Sequence, residues 1–325
     1  MVKITGTGSF LPDKRVSNDD LSLIMDTSDE WIRTRTGISA RHLAIGETTS
    51  QMALAASGKA LSDAKVAPEE LDLIIAGTVS ADQVVPSLAC NVQSGLGAGR
   101  AVAFDINAAC SGFLFSLNTA WTYLEQGIYR KALVIGAETL SKIVNWEDRS
   151  TCVLFGDGAG AAVVEWMPDV PGQKQGVIAI EQGSCGSKGQ VLACDGRSVN
   201  NPYVKNEVSL HYVTMDGQEV FKFAARTVPE AIMKAVEKAG LSLEEIDYFL
   251  LHQANLRIIE TVAKRLRQPL TKFPTNIQDC ANTSAASVPI LLDYVNRKGL
   301  LKPGDKIVLA GFGAGLTWGV TVICW

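Results

Sequence analysis

The chain has 325 residues, a formal net charge of −4, 47% hydrophobic residues and 20% charged residues. This composition excludes a disordered chain, gives enough length for two domains, and offers no overall basic field for a general nucleic-acid binder. Seven scattered cysteines without a CxxC pair fit free thiols better than a disulfide framework, and with only three histidines they argue against structural zinc.

Strands and helices alternate. A first strand is expected over 2–6, then short helices over 18–25 and 28–34, the second opened by Ser28 with Asp29 and Glu30 in its first turn. A helix over 49–64, a buried strand over 71–76, a helix over 87–96 and a β-prone run over 102–106 follow. Buried strands are expected over 131–136 and 160–165. The polar stretch 169–176, with proline and two glycines, reads as the boundary between an N-terminal part, 1–170, and a C-terminal part, 171–325. The second part runs strand, irregular segment, helix (220–239), strand (246–251), helix (255–267), helix (285–297) and strands (306–310, 318–323). No apolar run approaches the roughly 20 residues that span a bilayer, and the N-terminus lacks the apolar core of a signal peptide. A soluble cytoplasmic protein with no membrane partner is expected.

The stretch 101–124 reads as strand, turn and long buried helix, with Cys110 at the junction. Phe113, Leu114, Leu117, Ala120, Trp121 and Leu124 form an apolar helix face. A helix N-terminus favours a thiolate over a thiol, and the small neighbours Ala108, Ala109, Ser111 and Gly112 leave room beside the sulfur. Taken alone, a cysteine among apolar residues is more often a core residue than a nucleophile.

A shift of 175 residues exposes a repeat. Lys59, Ala60, Leu61 and Ala64 fall on Lys234, Ala235, Val236 and Ala239; Glu69, Glu70, Leu71 and Asp72 fall on Glu244, Glu245, Ile246 and Asp247. At the same offset KALVIG (131–136) falls on KIVLAG (306–311). The expectation is two similar α/β parts packed about a pseudo-twofold axis, with ligands outside the carboxyl ends of the strands. Cys110 follows a strand in one part, His252 ends a strand in the other, and Asn282 falls opposite Asn107. Symmetric packing can bring Cys110, His252 and Asn282 together.

Several segments carry a family resemblance: GTGSFLPDKRVSN (6–18), TSDEWIRTRTGISAR (27–41), INAACSGF (106–113), FGDGAGA (155–161), HQANLRI (252–258), NTSAAS (282–287) and GFGAGLTWG (311–319). With these the chain resembles, almost end to end, the β-ketoacyl-acyl-carrier-protein synthase III family of the thiolase-like superfamily. The resemblance implies an α/β thiolase-like fold, two pseudo-repeated α/β halves in five αβαβα layers. It implies a decarboxylative condensation of an acyl-CoA primer with malonyl-acyl carrier protein, initiating type II fatty acid synthesis. It implies a homodimer and no bound metal or organic cofactor.

Residue by residue, the resemblance makes Cys110 the nucleophile, with His252 and Asn282 binding the malonyl thioester carbonyl. Backbone N–H groups of Cys110 and Ala314 would form an oxyanion hole, although relatives often have glycine at the second position. Thr27, Trp31, Arg35 and Arg149 match the coenzyme A contacts, with Trp31 and Arg149 sandwiching the adenine. Gln253, Ala254, Asn255, Leu256 and Arg257 match the acyl-carrier-protein docking segment; a local basic stripe of Arg257, Lys264 and Arg265 suits an acidic partner. Val85 stands where several relatives carry a phenylalanine that closes the partner subunit's acyl pocket, so longer or branched primers are expected.

Rival readings remain at this stage. A synthase of secondary metabolism would use the same three residues. A plant-type polyketide synthase has typically a longer chain. A thiolase would want a second catalytic cysteine, and Cys324 lacks its glycine-flanked setting. A cysteine hydrolase would want glycine where Ala108 stands. A binding module leaves three convergent polar residues unexplained.

Overall fold

The computed structural model describes residues 1–168, 175–206 and 210–325. In chain order the elements begin with β1 (Val2–Phe10), β2 (Arg15–Ser17), α1 (Asn18–Ser22), α2 (Asp29–Thr36), β3 (Ala40–His42) and α3 (Thr49–Ala64). Next come β4 (Leu73–Gly77), α4 (Leu88–Leu96), β5 (Val102–Ile106), α5 (Gly112–Glu125), β6 (Lys131–Glu138) and β7 (Gly158–Trp166). They are followed by β8 (Gly176–Ser184), β9 (Leu192–Ala193), β10 (Thr214–Met215), α6 (Gly217–Lys238), β11 (Tyr248–Leu251) and α7 (Leu256–Leu266). The chain closes with α8 (Ile277–Cys280), α9 (Ser287–Arg297), β12 (Lys306–Gly313) and β13 (Thr317–Cys324).

One sheet has the order β1-β7-β6-β4-β5, antiparallel from β1 to β6 and parallel from β6 to β5. A second has the order β11-β12-β13-β8, parallel only between β11 and β12. Both central strand sets are apolar on both faces, as strands covered on each side by helices must be. Along β4, Leu73 and Ile75 join a core shared with α5, α9 and the second sheet, whereas Ile74 and Ala76 join a core with α3 and α4. On the far side, Phe249, Leu251, Val308 and Ala310 pack against α6 and α7. The result is five layers, helix–sheet–helix–sheet–helix, with α5 and α9 in the middle. Backbone meets backbone there: a Cβ on Gly136 would lie 2.1 Å from the Ala285 carbonyl oxygen, so β6 and the turn before α9 approach as only glycine permits.

The 175-residue offset carries into three dimensions. It maps Leu73 to Ala76 of β4 onto β11, β6 onto β12, and the start of α5 onto that of α9. It breaks at β5, whose counterpart is the short helix α8, leaving the second sheet one strand smaller.

Two sequence expectations need correction. The first strand continues through Gly6 to Phe10, because Gly6 and Gly8 are not strand breakers but the face on which α3 rests: a Cβ on Gly6 would lie 2.4 Å from Ala60 O. The helix expected over 18–25 ends at Ser22 after a Ser17–Asp20 capping box, leaving Leu23 and Ile24 exposed. The boundary expected within 169–176 lies mostly on 169–174, outside the described residues.

Candidate active site

β5 feeds Cys110 into a single 3-10 turn, Ala109–Ser111, directly before α5. Ala109 has φ 46°, a left-handed backbone in a residue with a Cβ, which costs on the order of 1 kcal/mol or more and is the kind of strain held at functional turns. The turn presses Cys110 against the end of β12. A Cβ on Gly313 would lie 2.7 Å from Cys110 Cβ and 3.0 Å from Sγ, so glycine there makes room for the thiol. Burial pushes the Cys110 thiol up to about 11, and the negative charge of Glu138 adds to this, while a hydrogen bond with Ser284 works in the opposite direction. Burial thus works against the thiolate that the helix terminus favours.

His252 follows β11 and donates its backbone N–H to Ala310 O at 2.8 Å. Its ring meets Phe312 edge-on, 5.1 Å between centroids, and Phe312 precedes the Gly313 that touches Cys110. His252 and Cys110 thus share the end of one strand. Burial lowers the imidazole to about 3, so it is neutral at working pH. Its Nδ1 is buried without a hydrogen-bond partner, which leaves Nε2 as the nitrogen able to reach a ligand.

Asn282 is fixed by main chain on both sides: its N–H donates to Leu154 O (2.9 Å) and its carbonyl accepts from Gly156 N–H (3.0 Å). Its Oδ1 accepts from Ser284 N–H at 2.8 Å, which assigns the other side-chain atom, Nδ2, as a donor free for the site. Ser284 opens the turn Ser284–Ala286 before α9 and has φ 49°, matching Ala109 175 residues earlier.

Two groups at this centre escaped the sequence reading. Ser284, in the turn that packs beside the Cys110 turn, donates its hydroxyl to Glu138 Oε1 at 3.1 Å. Glu138, fully buried at the end of β6, accepts from Ser80 Oγ, Thr78 Oγ1 and Val79 N–H. Burial raises its carboxyl to about 7. A signal was present: an acidic residue closing an apolar run over 131–137. Arg41 is the other surprise. It is fully buried, donates to Val16 O, Asn18 Oδ1 and Val153 O, and is lowered by burial to about 10.

The remaining candidates fall around this centre. Ala314 lies in the loop after Gly313, and Thr317 Oγ1, 2.9 Å from Ala314 O and 3.0 Å from Ala108 O, ties that loop to the Cys110 turn. Trp31 is half-buried on α2 with Arg35 Cζ 4.6 Å and Arg149 Cζ 5.6 Å from its ring centroid. Arg149 is also ion-paired to Asp26 at 3.0 Å, and nearby Thr27 Oγ1 is buried without a partner. In the 253–257 segment only Arg257 is well exposed. Asn255 caps α7 and reaches Arg35 O, and Leu256 packs on Gly37. Gln253 is corrected outright as a docking residue: it is 1% exposed, donating to Leu251 O and accepting from Asn276 N–H, so it braces the segment from beneath. Val85 is 80% exposed on a loop that turns away from its own chain's core. Among the described residues no group of three His, Cys, Asp or Glu could hold a metal ion, and no helix is long and apolar enough to cross a membrane.

Comparisons with known proteins agree along the whole chain. Residues 104–186 match the family profile of 3-oxoacyl-[acyl-carrier-protein] synthase III, and residues 236–325 match its C-terminal profile. A β-ketoacyl-[acyl-carrier-protein] synthase III of Clostridium acetobutylicum is 48% identical over 325 residues, covering 100% of this chain and 98% of the relative. The crystal structure of 3-oxoacyl-[acyl-carrier-protein] synthase III from Aquifex aeolicus VF5 superposes with a TM-score of 0.93 at 45% identity, covering 100% of both chains. The priming β-ketosynthase of the R1128 polyketide pathway reaches 0.91 at 37% identity, over 99% of this chain and 96% of that one.

Proposed function

Because the chain belongs to the β-ketoacyl-acyl-carrier-protein synthase III family, acyl-transferring condensing enzymes that initiate fatty acid synthesis, we propose that it joins an acyl-CoA primer to malonyl-acyl carrier protein through an acyl-Cys110 intermediate. The carrying observation is the meeting of Cys110, Gly313 and Phe312–His252 at the end of β12, with Asn282 bonded to Ser284 in the turn that packs against the Cys110 turn.

The chemistry follows from what each group can do. Sulfur attacks the primer thioester, the N–H groups of Cys110 and Ala314 receive the oxyanion, and the donor C–S bond breaks so that coenzyme A leaves as its thiol with the proton Cys110 gives up. Neutral His252, protonated on Nε2, and Asn282 Nδ2 would then supply two uncharged donors. They suit the malonyl thioester carbonyl, whose oxygen gains negative charge as CO₂ leaves. The resulting carbanion attacks the acyl-Cys110 carbonyl, the C–S bond breaks, and the Cys110 thiolate that leaves takes up one proton from solvent. No step calls on a bound metal or organic cofactor.

Coenzyme A would enter over Trp31, between its indole and Arg149, with Thr27 and Arg35 alongside; a stacked base needs about 3.5 Å on each face, so Arg149 must swing outward from Asp26. Arg257, with exposed Lys264 and Arg265, would meet the acidic carrier protein. A homodimer would pair β5, the free edge of the five-stranded sheet with Val102 exposed, against its own copy. Exposed Val84 and Val85 would then reach the partner's acyl pocket, and valine there leaves room for longer or branched primers. The seven unpaired cysteines suit a cytoplasmic, reducing setting. We also take 1–170 and 171–325 as two domains, one carrying the cysteine and the other His252 and Asn282.

The test is intact-protein mass after brief mixing with a panel of acyl-CoAs, beside Cys110→Ala. One added acyl group, absent in the variant, is expected. No adduct with any donor would overturn the coenzyme-A-primed reading. A preference for long or aromatic groups would move the enzyme toward priming in secondary metabolism, the role named for the R1128 neighbour.

A further inference from the structure

The two N–H groups assigned to the acyl oxyanion come from different sheet units. The Cys110 turn follows β5, whereas Ala314 lies in the short loop between β12 and β13. Neither turn alone fixes the distance between the two donors.

Thr317, the first residue of β13, stands between them. Its Oγ1 lies 2.9 Å from Ala314 O, 3.0 Å from Ala108 O and 3.1 Å from Ser111 Oγ. A hydroxyl has one proton to donate, and here acceptors of both turns share it. Each carbonyl adjoins an oxyanion donor: Ala314 O belongs to the residue that carries one N–H, and Ala108 O is one peptide unit before the Cys110 N–H. Ala108 O also accepts from Ser111 N–H at 3.0 Å, which closes the turn around Cys110. The far end of the Ala314 loop is held separately, by two main-chain bonds between Leu316 and Cys185 at 2.7 and 3.1 Å.

Thr317 is itself a fixed point. Its backbone lies opposite Gly313 of β12 on one side and Ser184 of β8 on the other. A β-branched side chain has few χ1 states, and its methyl is packed: a Cβ on Gly315 would lie 2.7 Å from Thr317 Cγ2. Without the hydroxyl, the carbonyl oxygens of Ala108 and Ala314 would face one space with no proton between them, and their repulsion would move the turns apart.

We propose that Thr317 is a positioning residue for acyl transfer, its hydroxyl setting the spacing of the Cys110 and Ala314 N–H groups. The inference rests on the acyl-transfer reading above. Oxyanion donors act as charge develops on oxygen, so the hydroxyl matters for attack on a thioester carbonyl, not for substrate binding or for the thiol itself.

The test compares wild type with Thr317→Val, which keeps the shape and loses the hydroxyl, and Thr317→Ser, which keeps the hydroxyl. Two rates of Cys110 labelling are followed by peptide mass: acetylation by acetyl-CoA, which passes through an oxyanion, and alkylation by iodoacetamide, which does not. Thr317→Val should slow acetylation about 10- to 100-fold. The acetyl-CoA concentration giving half the maximal rate should not change, nor should the alkylation rate. Thr317→Ser should restore most of the acetylation rate. Unchanged acetylation in Thr317→Val overturns the proposal. So does an equal loss of alkylation, which puts the defect at the thiol, and so does Thr317→Ser no faster than Thr317→Val. Thr317→Ala and Thr317→Ser differ only in the hydroxyl and carry the test should Thr317→Val fail to fold, with serine faster by about tenfold. The small thioester S-acetyl-N-acetylcysteamine separates the two readings. If it labels the wild type and no acyl-CoA does, the coenzyme-A-primed reading falls, and a slow Thr317→Val on the small thioester upholds the spacing role. Labelling by neither overturns both.

Discussion

The two sheet units share one plan and divide one site. At the 175-residue offset Cys110 faces Ala285, His252 faces Gly77, Ser284 faces Ala109 and Glu138 faces Gly313. At each of these pairs one unit has a polar or thiol side chain and the other a residue with little or none. The small member is part of the arrangement, because both turns enter the same central layer. Gly313, counterpart of Glu138, is where Cys110 rests; Ala285, counterpart of Cys110, has its Cβ 3.2 Å from where a Gly112 Cβ would stand. Duplication supplied two strained turns, Ala109–Ser111 and Ser284–Ala286, but the shared interior has room for a large group in only one of each pair. Asn107 and Asn282 are the exception, polar in both units.

The largest effect that breaks this comparison is loss of the thiol. Cys110→Ala should lower condensation by at least about 10⁴-fold, and adding Ala285→Cys should not restore it, since the Ala285 Cβ packs against Gly112. Product formation by mass spectrometry checks both. A smaller effect separates matched glycines. Gly136→Ala drives a methyl into a backbone oxygen 2.1 Å away and should cost about 3 kcal/mol. Gly311→Ala, whose Cβ would first meet a flexible Leu114 methyl at 3.1 Å, should cost about 1 kcal/mol. Denaturant unfolding of the pair would decide it.

Much of this was readable from residue order. Strand β5 and helix α3 lie where the apolar periodicity puts them, and the repeat is visible as KALVIG against KIVLAG. Cys110, His252 and Asn282 are reached through the repeat and the family resemblance, since each alone reads as an ordinary residue. What stayed hidden depends on burial rather than order. Nothing in the string says that Gln253 points inward, that Glu138 is sealed beside a thiol, or that Arg41 is buried without a carboxylate. The burial that raises the Cys110 thiol is likewise a product of the layer around it.

A third pair of variants sets the two units against each other through pH. His252 takes up its proton at about 6.5 when unfolded and about 3 when folded, so its contribution weakens the fold as pH falls through that window. Glu138 loses its proton at about 4.5 unfolded and about 7 folded, so its contribution weakens the fold as pH rises through that window. Between about 4.5 and 6.5 the two oppose each other. His252→Gln should therefore lose stability as pH rises from 4.5 to 7, and Glu138→Gln should gain it up to 6.5; melting temperatures across that range would show the crossing. Parallel pH profiles in the two variants would contradict it. The smallest expected effects are at the rim. Trp31→Ala should raise KM for acyl-CoA about 5- to 10-fold. Arg257→Glu should weaken use of malonyl-carrier protein about 3- to 10-fold while leaving acylation by acyl-CoA unchanged; steady-state kinetics with each substrate varied separates them.

Arg41 has a consequence for how this face forms. Its guanidinium is sealed from solvent, and among the described residues no carboxylate pairs with it; Val16 O, Asn18 Oδ1 and Val153 O accept its hydrogen bonds instead. Those acceptors come from separate stretches of chain. Gly156, whose N–H holds Asn282 O, packs beside the same side chain, its Cβ position 3.2 Å from Arg41 Cβ. A chain with only some of these loops docked would leave a bare cation in an apolar setting, a state several kcal/mol uphill of the order expected for an unpaired buried charge. Partial closure is thus selected against, and the loops assemble or open as one cooperative unit. Amide hydrogens at Asn18, Gly156 and Asn282 should exchange together, so that Asn282 is presented in full or not at all.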